Sequence, residues 1–227
     1  MTINIRNRYN ILQIVVLLII FIFYELVGRM FTSFFPYIGE YITVIIHILW
    51  VFLMYSTYLF YILILMKKNG LNIKSELTIS IKKKDFLLGM LAFLIALIPL
   101  LIISFYLPIV DSSNLIPIIN ILLSGSYYIT LIIFICLMGI YGPIIEEILF
   151  RGFIWKVFEE MKINRVIVLF IISLLFASYH LEVRRFPVLF ILGLTLGLLK
   201  MHTRRLGASM IAHMMINILA LISILGS

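Results

Sequence analysis

Seven apolar runs, most of them long enough to cross a bilayer, leave this chain little room for any other architecture. They fall at 11–30, 41–66, 86–110, 127–154, 166–181, 187–201 and 206–225. A spanning helix needs about 20 apolar residues. In hydrocarbon, every backbone N–H and C=O must find its partner inside the protein. The pattern therefore predicts an all-α fold, a polytopic transmembrane bundle of roughly seven spans. The run 187–201 is the shortest and reads as a tilted or re-entrant segment. No Gly/Ser linker, low-complexity stretch or fixed-period repeat divides the chain, so 1–227 is expected to be a single membrane domain.

Composition supports the same conclusion. Apolar residues make up 64% of the 227 positions and charged residues 12%, whereas a soluble domain carries about 25% charged residues. So few charges cannot clothe a water-facing surface. The net charge of +8 does not mark a nucleic-acid partner, because the basic residues lie between the apolar runs, where topology signals belong. With the N-terminus inside, the inner segments hold Arg6, Arg8, Lys67, Lys68, Lys74, Lys82, Lys83, Lys84, Lys156, Lys162, Arg165, Lys200, Arg204 and Arg205. The outer segments hold Arg29, Arg184 and Arg185. This asymmetry predicts a cytoplasmic N-terminus and an external C-terminus.

Arg6 and Arg8 ahead of an apolar run resemble a signal peptide, but the run continues to Val27 without a small-residue cleavage site, so it reads as a retained span. The lysine-rich stretch 67–85 reads as a cytoplasmic loop lying on anionic headgroups. Cys136 stands alone inside an apolar run and says nothing about redox compartment.

Against this background a few residues are out of place. An ionised side chain at a helix centre costs roughly 2.5–3.5 kcal/mol on insertion scales, yet the fourth run contains Glu146, Glu147 and Arg151 within six positions. At about 100° per residue, Glu147 and Arg151 lie about 40° apart around the helix and can pair. The pair is neutral and cheaper to bury than either ion alone. Glu146 points about 100° away from Glu147. It is left to act as a base. The fifth run ends on Phe176 and His180, and the seventh carries His213 and Asn217 four residues apart on one face. Polar groups in lipid must satisfy one another, which predicts one cluster built from three spans. Counted along the helices at 1.5 Å per residue, Glu146 and His213 reach similar depth, and His180 lies about 7–10 Å too deep. Glu25 and His47 read as interhelical hydrogen-bonding residues, and Pro143 as a residue that frees a backbone carbonyl near Glu146.

Glu146-Glu147-x-x-x-Arg151, Phe176-x-x-x-His180 and His213-x-x-x-Asn217, in this order on separate spans, resemble the motifs of the CPBP family. That family includes type II CAAX prenyl endopeptidases and bacterial proteins linked to bacteriocin self-immunity. The resemblance covers the C-terminal half, with 127–225 as the catalytic core; the N-terminal spans carry no matching motif. It implies an intramembrane endopeptidase acting on a membrane-associated peptide or protein. In that reading Glu146 activates water with help from His180, His213 and Asn217 stabilise the oxyanion, and Glu147 and Arg151 support them. Hydrolysis needs such a base and such donors, and Cys136 lies far from any His. No cofactor is assigned, and a divalent metal such as zinc stays open. Zinc, with Glu146, His180 and His213 as ligands, is a competing reading; the absence of His-Glu-x-x-His and the pairing of His213 with Asn, a rare ligand, count against it. A non-catalytic immunity or partner-binding protein of the same fold is the alternative function. A transporter would need pseudo-symmetric halves, which the sequence lacks. The Ile- and Lys-rich composition points to a low-GC bacterium and its plasma membrane, where prenylated CAAX substrates are not expected.

Overall fold

The computed structural model describes residues 10–34, 39–106 and 115–225. Arg6 and Arg8, used above for topology, lie outside the described residues, as do the last four positions of the run 86–110. Among the described residues every element is helical: α1 (Ile11–Phe34), α2 (Glu40–Lys68), α3 (Ile73–Glu76), α4 (Lys83–Tyr106) and α5 (Leu115–Ser124). There follow α6 (Tyr128–Glu160), α7 (Arg165–Tyr179), α8 (Phe186–Thr203) and α9 (Gly207–Leu225). Five of these, α1, α2, α6, α8 and α9, are long and apolar enough to cross a membrane. The chain is a multi-pass membrane protein.

The expected short span is displaced. α8 runs for 18 residues, Pro187 in its first turn, and ends where Arg204 turns left-handed (φ 56°) with its N–H on the Lys200 carbonyl. Proline suits that first turn because the N–H it lacks would have no helical partner. The short helix is instead α7, at 15 residues, or about 22 Å. Its start is fixed by Asn164, whose side-chain oxygen accepts from the Val166 N–H at 2.8 Å, an N-cap. Its end is fixed by Leu181 at φ 53°.

α6 forms the centre of the molecule. From Ile145 to Trp155 every residue is buried, charged ones included, as expected of a helix surrounded by protein. It departs from α geometry twice, in π-helical turns at Leu137–Tyr141 and Ile148–Ile154 that bracket Glu146 and Glu147. The first turn makes room for Pro143. Gly142 donates to the Leu137 carbonyl five residues back; in that register the next donor would be residue 143, which as proline has no N–H. The carbonyl of Met138 is therefore released, as the sequence suggested for this proline.

Close helix approach brings the remaining motif residues in. A Cβ on Gly193 of α8 would come within 3.0 Å of the Ser173 backbone on α7, and one on Gly197 would overlap Leu169. This small-residue pair four positions apart lets the two helices touch, as is common in membranes. On the N-terminal side α1 docks on α2 by polar tips, Tyr24 to Thr57 at 2.7 Å and Trp50 Nε1 to the Tyr24 carbonyl at 3.0 Å. The lysine-rich segment keeps its six lysines exposed yet is anchored. Leu77 is buried, and buried Asp85 pairs with Arg205 at 2.6 Å.

Candidate active site

Glu147 and Arg151 form the pair that helical spacing predicts. Arg151 Nη1 donates to Glu147 Oε1 at 2.9 Å, and both side chains are fully buried. The guanidinium is held twice more. Its Nη2 donates to the Gly193 carbonyl at 3.1 Å, and its Cζ sits 4.4 Å from the Phe176 ring centroid. Burying an ion pair is tolerable when further hydrogen bonds and ring contacts surround it. Arg151 thereby ties α6 to α7 and α8, and Phe176 of the second motif is part of that tie.

The third motif joins at His213. Its Nδ1 lies 3.1 Å from Glu147 Oε1 and its Nε2 lies 3.7 Å from Glu146 Oε2. Glu147, already paired with a guanidinium, can only accept, so Nδ1 carries the proton and donates it. The ring orientation is thus set by the brace, and Nε2 is left to face Glu146. Phe176 packs edge-on against His213 at 5.6 Å and against His180 at 4.9 Å between centroids. His180 is therefore beside the cluster despite the depth counted along its helix; helices need not run parallel, so residue counts do not fix depth. His180 Nδ1 is 2.8 Å from the Phe176 carbonyl. A carbonyl only accepts, so in the neutral ring Nε2 is an acceptor.

Asn217 lies one turn beyond His213 and donates from Nδ2 to the Met138 carbonyl at 3.2 Å. That is the carbonyl released before Pro143. The freed group orients the asparagine.

A cavity of about 670 Å³ is lined by Glu146, His180, His213 and Asn217 together. Glu25 of α1 and His47 of α2 line it too, so residues that read as interhelical bonding partners border the same space. Sequence reasoning missed Tyr55 of α2, which also lines the cavity and donates its hydroxyl to Glu146 Oε1 at 2.6 Å. The available signal was a hydroxyl-bearing ring followed by Ser56 in mid-span, weak because a tyrosine costs a membrane helix little. Glu146 Oε2 has no hydrogen bond among the described residues.

As arranged, these side chains do not make a ligand set for zinc. Among the described residues no group of three or more His, Cys, Asp and Glu side chains is placed to hold a metal ion. His213 directs one nitrogen to Glu147, and Glu146 gives one oxygen to Tyr55.

Fold and site together define a helical membrane protein that gathers acidic, imidazole and amide groups around one cavity. Residues 128–219 match the family model of Rce1-like type II CAAX prenyl endopeptidases. That match, over somewhat less than half of the chain, supports the recognition of a CPBP-family protein. The family is one of proteases. No curated protein and no solved structure matches the chain.

Proposed function

We propose that the protein is an intramembrane endopeptidase that hydrolyses a peptide bond of a membrane-associated peptide or protein. The observation that carries the proposal is the convergence of Glu146, His180, His213 and Asn217 on one cavity. Peptide hydrolysis requires an acceptor for the water proton and donors for the oxyanion, and these four residues divide into those roles.

Glu146 Oε2 is the base. With Oε1 engaged by Tyr55, Oε2 is the oxygen that no hydrogen bond occupies among the described residues, and His180 Nε2 offers a second acceptor. The water oxygen attacks the scissile carbonyl carbon while its proton passes to Oε2. The oxyanion receives the Nε2–H of His213 and the second N–H of the Asn217 amide, the first being held by Met138. Because His213 Nδ1–H is given to Glu147, the ring donates from Nε2 only as an imidazolium. In that state the charges of Glu146, Glu147, Arg151 and His213 sum to zero, which suits a site inside a membrane. Collapse of the intermediate breaks the C–N bond, and the proton on Glu146 moves to the leaving amine.

In the same reading α4, 24 residues long, and the shorter α7 also cross, which brings the count to seven. The N-terminus is cytoplasmic and the membrane is the plasma membrane of a bacterium; the distribution of basic residues between the runs supports this orientation.

The test works on any substrate that the membrane contains. Membranes from cells expressing the protein or its Glu146→Gln variant are compared by mass spectrometry of labelled peptide N-termini. The proposal expects N-termini that appear with the unaltered protein and are missing with Glu146→Gln. Identical sets would overturn it.

A further inference from the structure

We infer that Tyr55 is a positioning residue for the reaction, supplied by a helix outside the segment that matches the family model. The inference rests on the reading of Glu146 as base. Tyr55 lies on α2, 91 positions from Glu146 in sequence, and its hydroxyl donates to Glu146 Oε1 at 2.6 Å in a buried setting. Short hydrogen bonds to an ionised acceptor are the strong ones.

Two further observations separate this contact from the ordinary need of a buried tyrosine to find an acceptor. The first is that the surface of α6 is cut to receive the ring. Gly142 lies four residues before Glu146, and a Cβ there would come within 3.1 Å of three Tyr55 atoms, the hydroxyl oxygen included. That is closer than a relaxed side-chain contact, so α6 presents a notch one turn from the carboxylate. The second is the division of the carboxylate. Tyr55 takes Oε1, and Oε2 is left without a hydrogen bond among the described residues, 3.7 Å from His213 Nε2; Glu146 and His213 both line the cavity. A carboxylate free to rotate would present either oxygen to water; one pinned at Oε1 always presents Oε2 on the side of His213.

Neighbouring contacts hold Tyr55 in turn. Its ring meets Tyr141 edge-on at 6.2 Å, and Ser56 bonds the Tyr141 hydroxyl at 3.0 Å. Tyr141 belongs to the first π turn of α6, so α2 and the distorted stretch of α6 set the direction of Glu146 as one unit.

Tyr55→Phe removes the hydroxyl and keeps the ring. It is assayed as purified protein in detergent on a fluorogenic peptide spanning a cleavage site identified by the terminus comparison. Expected are a kcat lower by about tenfold or more, the size of a lost bond to a charged group, and an unchanged KM. In a Glu146→Asp background, whose carboxylate is one methylene short of Tyr55, adding Tyr55→Phe changes kcat no further. Equal kcat for Tyr55→Phe and the unaltered protein overturns the inference and leaves the protease reading standing. A loss of the same size in both backgrounds also overturns it, since Tyr55 would then act independently of Glu146. If the unaltered protein cleaves nothing, both fall together.

Discussion

The C-terminal part of the molecule, α6 to α9, and the N-terminal pair α1 and α2 occupy the same membrane under different rules. In α6 a long stretch is buried on all sides, and its charged groups pair with one another and hydrogen-bond to His213 of α9. α1 turns Leu12, Ile19, Phe23 and Leu26 outward and, among the described side chains, buries only Ile14 and Leu17 of its apolar residues. The first region is an interior organised around an ion pair, the second an apolar face directed at lipid. Candidate functional residues are conspicuous where they are costly and nearly invisible where they are cheap. Glu146, Glu147 and Arg151 are anomalies in an apolar run, whereas Tyr55, at the same cavity, reads as one more aromatic.

If the two regions obey different rules, their response to mutation should separate. The largest effect is expected for Arg151→Met. It strands Glu147 in a fully buried position, and breaking a buried pair costs about 3–5 kcal/mol, measured as loss of thermal stability in detergent. Adding Glu147→Gln should recover part of that loss. A double variant that loses the sum of the two single effects would show that the pair is not a unit. Next comes Asn217→Ala. Removing one oxyanion donor lowers turnover by about 10²–10³-fold, read from kcat, and a loss of less than tenfold would confine Asn217 to holding Met138. Gly193→Val is expected to cost about 1–3 kcal/mol of overpacking, because a side chain there meets the Ser173 backbone at 3.0 Å. It should also lower turnover by moving the helix that carries His180. The smallest effect belongs to the lipid-facing side. Ile19→Ala, 59% exposed, should change stability by no more than about 0.5 kcal/mol. A larger change would mean that α1 is covered by a partner in the membrane.

Much of the fold was legible because length and hydropathy of a membrane helix are set by the bilayer itself. The misplaced short span shows the limit. The run 166–181 shows no break at Tyr179, so hydropathy alone does not see Asn164 capping one end of α7 or Leu181 turning left-handed at the other. In the site, the i, i+4 geometry of Glu147 and Arg151 could be read directly, since it is local to one helix. The link from His213 to Glu147 could not, because it depends on how α9 crosses α6. The two π turns were equally hidden. Pro143 hinted at the first, but the carbonyl it frees serves Asn217, a use that only three-dimensional contact reveals.

The central claim is that two adjacent glutamates have separate work, Glu146 in the chemistry and Glu147 in the brace. Glu146→Gln and Glu147→Gln, purified side by side, test it through turnover and melting temperature on the same samples. The account predicts that Glu146→Gln loses turnover by about 10²–10⁴-fold, the range for a missing general base, with a melting temperature equal to or above that of the unaltered protein. Glu147→Gln should lower the melting temperature. A Glu146→Gln protein that still turns over at the unaltered rate would contradict the account.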